Sequence, residues 1–553
     1  MTHIEEEKAK MSNSNNESTI GNAIQTALVL QGGGALAAYE VGVYGALYFW
    51  IKKDFAESDN TNIFDIIAGT SGGAINAAII VSHVQQRRKK GFSIKDGWQG
   101  SLRKLLDFWN YTSSTPDFTI WRPFYSFMWP LYRDEKLWMS VWDENNRINN
   151  RIATGEAARR YYSVKDFLYY GAPQIFSNPS AENDDRFFDN FFMPSNIWLH
   201  YNNDELRKSI ERYTAFPIAT TYDSISDKEK QQPRLLIVST DVKEGEAVTF
   251  DSYEKEDGSR RSEYGDYIKG ENRNKRIIRY DEGLMIEHVI ASSSVPINYR
   301  YAMVPVNYGE DNSTDDRREF WDGGMLSNTP LRELIQAHED YWRMGRNGNV
   351  LPDLKVYIVD IWPHKGEAPS DHDGVANRRY DLTYQEKTPH EEKIAYLIHD
   401  YIDLAYKLIR RAKMPQDELD KFLDQTYGQS RHRDGENRTY RQLLQKVQIT
   451  DVVRIERSAD PSEISYKWCD YSANTVTLMI KQGVEDTLHK VADIEKEKNK
   501  DPCIALDNFI TVIDAEKENE LLTEKLERIL DGNVPSDLLK ESARYIKRAL
   551  QCR

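Results

Sequence analysis

The stretch Ile66-Ile67-Ala68-Gly69-Thr70-Ser71-Gly72-Gly73-Ala74-Ile75-Asn76 constrains this chain more than any other. An apolar run that reads as a buried strand ends at Gly69. A small-residue helix begins after Ser71, with Ala74, Ala77, Ala78, Val81 and Val84 at helical spacing. Gly69, Ser71 and Gly73 therefore fit G-x-S-x-G at a strand-to-helix turn, a setting that lifts a serine hydroxyl out of the fold. Glycine suits such a turn because neighbouring backbone comes too close for a Cβ. In isolation the same residues also read as a plain strand, turn and helix with Ser71 as N-cap.

Upstream, Thr26-Ala27-Leu28-Val29-Leu30-Gln31 is a short apolar strand that runs into Gly32-Gly33-Gly34. A helix follows, with Leu36, Val43, Leu47 and Ile51 on one face. A glycine loop between a strand and a helix start points backbone N–H groups outward and favours negative charge. Two readings compete. Gly32 to Ala37 satisfies G-x-G-x-x-A, but a dinucleotide site expects an acid at the end of the next strand, and that strand ends in Gly-Thr-Ser. The alternative is an oxyanion hole, with the loop donating to a carbonyl oxygen that becomes negative as a serine attacks. A serine nucleophile also needs a base. Phe320-Trp321-Asp322-Gly323-Gly324, followed by Ser327-Asn328-Thr329-Pro330, holds a carboxylate at a constrained turn. Alone, it is equally an ordinary Asp-Gly turn.

Together, three blocks resemble the patatin-like phospholipase family in order and spacing. They are Gln31-Gly32-Gly33-Gly34 with Ala38-Tyr39-Glu40-Val41-Gly42-Val43; Gly69-Thr70-Ser71-Gly72-Gly73-Ala74-Ile75-Asn76; and Trp321-Asp322-Gly323-Gly324 with Ser327-Asn328-Thr329-Pro330. Thr240-Asp241-Val242 with Gly245-Glu246, and Ala291-Ser292-Ser293-Ser294-Val295-Pro296, add to the likeness, which covers about residues 23–363. The resemblance implies an α/β fold, a three-layer α/β/α patatin-like sheet with helical insertions and a helix-rich C-terminal region. It also implies a serine–aspartate dyad. Ser71 would be the nucleophile, Asp322 the general base, and the N–H groups around Gly32, Gly33 and Gly34 the oxyanion hole. Gly72 would be a further donor by elbow geometry. The implied activity is release of fatty acids from lipids through an acyl-enzyme. A non-lipid esterase or thioesterase would share every catalytic residue, and a catalytically weak lipid-binding or scaffold protein is a third class. Family members often carry a basic residue and a glycine after the glycine run, where this chain has Leu36 and Ala37. His338 and His364 follow Asp322, as a Ser…Asp…His triad would require, but neither sits in a loop context that singles it out.

Composition narrows the partners. With 553 residues the chain can hold a large α/β domain with additions. A net charge of −15 disfavours nucleic acid, because phosphate neutralisation needs a broad basic surface. Arg87-Arg88-Lys89-Lys90 reads as the solvated end of the helix after Ser71. Cys469, Cys503 and Cys552 are widely spaced and give no disulfide framework or zinc spacing, so no cofactor or metal is expected. Residues 1–22 lack the apolar core of a signal peptide and read as a disordered tail. No segment approaches the roughly 20 apolar residues of a spanning helix. A cytoplasmic protein, touching membranes peripherally if at all, is the expectation.

The rest divides by pattern. Residues 23–365 form the expected catalytic domain, resumed by strands at 234–238 and 354–361 after an aromatic-rich insertion or lid region at 101–232. That region is dense in rings from Phe108 and Trp109 to Trp138 and Trp142, which suit core packing or an acyl site. Residues 178–190, 254–274 and 309–318 are charged and expected to be exposed loops. Residues 366–380 read as a linker or loop, and 381–553 as a helix-rich region containing an amphipathic helix (Ile394 to Ile409) and a half-buried strand at 451–456, with no catalytic constellation of its own.

Overall fold

The computed structural model describes residues 24–54, 62–114, 156–177, 201–221, 231–265, 276–296, 298–306, 316–343, 351–426, 439–444 and 446–498, together with Arg544. The disordered-tail expectation, the rings from Phe118 to Trp142 and the 178–190 loop lie outside these residues.

The longer strands, in chain order, are β1 (Ile24–Leu30), β2 (Ile66–Thr70), β3 (Arg234–Asp241), β4 (Glu246–Asp251), β5 (Arg261–Tyr264), β6 (Arg276–Arg279), β7 (Ala302–Pro305), β8 (Arg317–Asp322), β9 (Asp353–Asp360) and β10 (Ile449–Glu456). One sheet has the order β10-β9-β1-β2-β3-β8-β7, with β4 also paired to β3. The run β10-β9-β1-β2-β3 is parallel. β4 and β8 pair antiparallel with β3, and β7 with β8.

The longer helices are α1 (Ala38–Asp54), α2 (Gly72–Lys89), α3 (Ser101–Thr112), α4 (Glu156–Tyr170), α5 (Asp204–Tyr213), α6 (Ile286–Ser292), α7 (Leu331–Arg343), α8 (His372–Tyr384), α9 (Pro389–Ala412) and α10 (Ala473–Glu497). Successive strand residues point to opposite faces, so near-continuous apolar runs demand cover on both. Leu28, Leu30, Ile67, Leu235 and Ile237 join the core built on α1, α2, α3 and α10. Ala27, Val29, Ile66, Ala68 and Leu236 meet Leu331 and Leu334 of α7 on the other side. The architecture is the expected α/β/α layering. Small side chains let α2 be buried on every side from Gly72 to Ser82.

Two segments differ from the sequence reading, and a third is placed by the structure. Within the charged stretch 254–274, β5 pairs with β6 and buries alternate side chains, Ser262 and Tyr264, and the Tyr264 hydroxyl donates to Asp241 Oδ2 at 2.6 Å. The exposed-loop expectation fails there because a period of two hides behind the charges. Residues 372–380, read as linker, belong to α8, whose N-cap Asp371 accepts from the Gly374 N–H at 2.7 Å. The strand expected at 451–456 is β10, an edge strand of the main sheet.

Residues after β10 return to the centre of the molecule through α10, which packs along α1. A Cβ on Gly42 would lie 1.9 Å from Ile480 O, and one on Gly483 2.1 Å from Tyr39 O. Only glycine permits helices this close. α9, by contrast, has no buried residue and exposes Ile394, Leu397, Leu404 and Leu408.

Candidate active site

Ser71 stands between β2 and α2 with φ 54° and ψ −123°, a conformation that strains a residue with a Cβ. The turn closes only because Gly69 and Gly73 lack side chains: a Cβ would lie 2.4 Å from Gly73 O at the first and 2.6 Å from Leu30 O at the second. The Ser71 N–H donates to Ser292 Oγ at 2.9 Å, and the Ser292 hydroxyl donates to Val238 O at 2.6 Å. Ser292, at the end of α6, thus ties the elbow to β3.

Strand register brings Asp322 to the same level. Thr70 pairs with Val238 and Asp322 with the next residue of β3, Ser239, while β4 covers the opposite edge of β3 at both positions, so Asp322 lies on the same side of β3 as Thr70, in line with the end of β2 and next to Ser71. Gly323 permits the close junction of the two chain ends, since a Cβ there would sit 2.2 Å from Val238 O and 3.0 Å from Thr70 Cγ2. The Asp322 backbone is held at both ends: its N–H donates to Ser294 O at 2.9 Å, and its carbonyl accepts from Thr240 Oγ1 at 3.1 Å.

The Asp322 carboxyl is buried. Oδ1 accepts the Gly324 N–H at 2.7 Å, while Oδ2 has no fully formed hydrogen bond among the described residues. The Ser71 hydroxyl reaches this carboxyl without a fully formed hydrogen bond. Burial pushes the Asp322 pKa up to about 6, against the opposing pull of the Ser71 hydroxyl and the Gly324 amide.

The glycine loop lies against the elbow. A Cβ on Gly72 would be 2.6 Å from Ala37 Cβ and 2.9 Å from Gly34 O. Among the described residues no acceptor engages the amides of Gly33, Gly34 or Gly72. Gly32 departs from expectation, because its N–H is occupied by Asn328 O at 3.1 Å. Its role is clearance: a Cβ would lie 2.5 Å from Asn328 Oδ1 and 3.1 Å from Ser71 Cβ. Gly34 needs its φ of +56°, and Gly33 makes room for Ile361 Cδ1, 2.4 Å from where its Cβ would be. Leu36 is buried in the core.

Polar side chains lock the loops together. Gln31 accepts the Ile361 N–H at 2.7 Å and donates to Thr329 Oγ1 at 2.9 Å and to Tyr384 O at 3.1 Å. Asn328 Nδ2 also donates to Tyr384 O, at 2.8 Å, and the Trp362 indole donates to Gly32 O at 2.7 Å. Asn76 Nδ2 donates to Ala37 O and to buried Glu40, and its Oδ1 accepts from the Trp109 indole at 2.9 Å. Burial pushes the Glu40 carboxyl well above the usual range.

Beside Ser71 lies a cavity of about 40 Å³ lined mainly by apolar side chains, among them Ile75, Phe108, Trp109, Phe176, Trp468 and Tyr471. Phe108 and Trp109 belong to the expected aromatic region. Trp468 and Tyr471 come from the part of the chain that shows no catalytic pattern in sequence, and Trp362 and Tyr384 carry no motif either. The one signal available was the ring-rich Tyr466-Lys467-Trp468-Cys469-Asp470-Tyr471 run.

The two histidines are elsewhere. His338 Nε2 pairs with Pro352 O at 2.8 Å, just before β9 and thus at the sheet edge opposite Ser71. His364 Nε2 lies 2.5 Å from Asp360 Oδ2. Among the described residues no group of three or more His, Cys, Asp or Glu side chains could hold a metal, and no helix is long and apolar enough to cross a membrane.

The family model described as patatin-like phospholipase matches residues 28–335. Among curated proteins none matches the chain. Of the solved structures, the crystal structure of VipD from Legionella pneumophila aligns with 97% of this chain and 94% of that one, at 9% sequence identity and a TM-score of 0.23.

Proposed function

This chain belongs to the patatin-like phospholipase family, and from that premise we propose that it is a lipid acyl hydrolase working through a Ser71–Asp322 dyad. The observation that carries the proposal is the strained elbow serine facing a buried carboxyl whose Oδ2 is free to accept a proton. Asp322 takes the Ser71 proton as Oγ attacks the ester carbonyl carbon. The resulting oxyanion lies against the amides of Gly33, Gly34 and Gly72. The alcohol leaves with the proton held by Asp322, and the acyl group stays on Ser71. Asp322 then deprotonates a water, which attacks the acyl carbon. Ser71 Oγ departs and recovers the proton, and a fatty acid is released.

Buried aromatic and aliphatic side chains beside Ser71 suit an acyl chain better than a polar substituent. The test is hydrolysis of a labelled phospholipid, with a neutral glyceride and a short-chain ester beside it, by wild type, Ser71→Ala and Asp322→Asn. Loss of at least a thousandfold in both variants, with folding retained and fluorophosphonate labelling confined to chains bearing Ser71, is expected. An active Asp322→Asn would refute the assignment of the base.

A further inference from the structure

We propose that residues 466–471 are a fixed gauge of acyl-chain length, with Trp468 and Tyr471 closing one wall of the cavity that begins at Ser71. The inference rests on the reading that Ser71 carries the acyl group. Three independent contacts place this segment in the site. Its backbone presses on the glycine loop, so that a Cβ on Gly34 would lie 2.5 Å from Trp468 O. The Tyr471 ring stacks on Trp109 (centroids 6.4 Å apart, planes 11° apart) and meets Phe176 edge-on at 6.2 Å. Both Trp468 and Tyr471 share the cavity with Ser71 and Gly72.

The mounting is rigid. Lys467 is buried between Asp381 of α8 and Glu463, and Glu463 also pairs with buried Arg457. Asp470 Oδ1 accepts from Ser163 of α4 and Oδ2 from Thr475 of α10, each at 2.7 Å. Buried ion pairs of this kind are costly to break, because each lost partner leaves a charge without compensation. The segment therefore cannot swing away as a mobile lid would, and the space beyond Ser71 ends where its rings stand. The cavity of about 40 Å³ exceeds the requirement of one water but leaves little slack for a chain.

Each methylene that gains burial multiplies kcat/KM about fourfold, until the chain meets the wall. The experiment measures kcat/KM for p-nitrophenyl esters of increasing acyl length, from butyrate to palmitate, with wild type, Trp468→Ala, Trp468→Leu, Tyr471→Leu and, as a control on the exposed face of α10, Leu478→Ala. The expected wild-type profile rises and then breaks. In the Trp468 and Tyr471 variants the break moves to chains longer by two carbons or more, a roughly fifteenfold rise in the ratio of long-chain to short-chain kcat/KM. Leu478→Ala keeps the wild-type break. An unmoved break in all three wall variants overturns the gauge. In parallel, calorimetric binding of the corresponding free fatty acids to Ser71→Ala, with and without Trp468→Ala, reads the same length without turnover. A break that moves in binding while no ester is hydrolysed sinks the hydrolase reading and keeps the gauge. Affinity independent of length, or a break that stays put, overturns the gauge alone.

Discussion

Asp322 should report on itself through both rate and stability. Burial raises its carboxyl from 3.8 to about 6, and only the ionised form can accept the Ser71 proton. kcat/KM should therefore climb tenfold per pH unit up to about pH 6 and then level off, standing near one tenth of its plateau at about pH 5. The same shift costs stability. A carboxyl whose folded pKa is raised binds its proton more tightly in the folded chain, so its contribution is fully present below the unfolded value and is lost as pH rises through the folded one. The loss between about pH 3 and 8 is about 3 kcal/mol. Asp322→Asn cannot ionise, and its amide oxygen can still accept the Gly324 N–H. It should be inactive yet gain stability relative to wild type as pH rises, approaching about 3 kcal/mol by about pH 8. Urea unfolding of both proteins across this pH range, beside pH–rate profiles on a soluble ester, checks the two halves together. A stability difference that stays flat with pH, or a wild-type rate still at plateau at about pH 4.5, would refute the argument, since either means that the carboxyl is solvated or paired with a cation.

Ser71→Gly and Ser71→Ala should both be inactive, but removing the Cβ from a residue at φ 54° should make the glycine variant more stable by about 1 kcal/mol, read by denaturant midpoint. Ser292→Ala should lower kcat about tenfold or more with little change in KM and cost about 1–3 kcal/mol, because the buried Ser71 N–H loses its acceptor; unchanged kcat would count against its bracing role. Gly483→Ala should cost about 1–3 kcal/mol or more in chemical denaturation and reduce ester hydrolysis, because its Cβ meets the backbone of the helix that follows the glycine loop.

The parts of the site visible in the sequence are those fixed by local backbone demands. Gly69, Gly73 and Gly323 mark places where no Cβ fits, and strand-to-helix patterning locates Ser71 among them. The layered fold was an expectation from the family resemblance, and the apolar runs agree with it because β1, β2 and β3 send alternate residues into a core on each face. The role of Gly32 was misread for a reason sequence cannot carry: its N–H points at Asn328 O, almost 300 residues away, and a glycine run looks the same whether its amides are occupied or free. The hairpin of β5 and β6 was hidden because Arg261 and Glu263 flank the buried Ser262, so charge masks the alternation. Trp468 and Tyr471 show in the sequence only as a ring-rich run with no motif to place it, because their contacts with Gly34 and Trp109 join segments more than 350 residues apart.

Such joining of distant segments bears on why the site can exist at all. A strained serine, a carboxyl raised by burial and a second buried carboxyl at Glu40 each tend to relax if their surroundings loosen. They are held by elements from far apart in the chain. Gln31 and Asn328 converge on Tyr384 O, Ser292 joins the elbow to β3, and Asn76 joins the start of α1 to Trp109. Trp109 in turn stacks on Tyr471, so a side chain that lines the cavity also supports the helix pair behind the glycine loop. Sequence beyond β9 thereby contributes to the geometry of a reaction whose proposed chemical groups all lie before it.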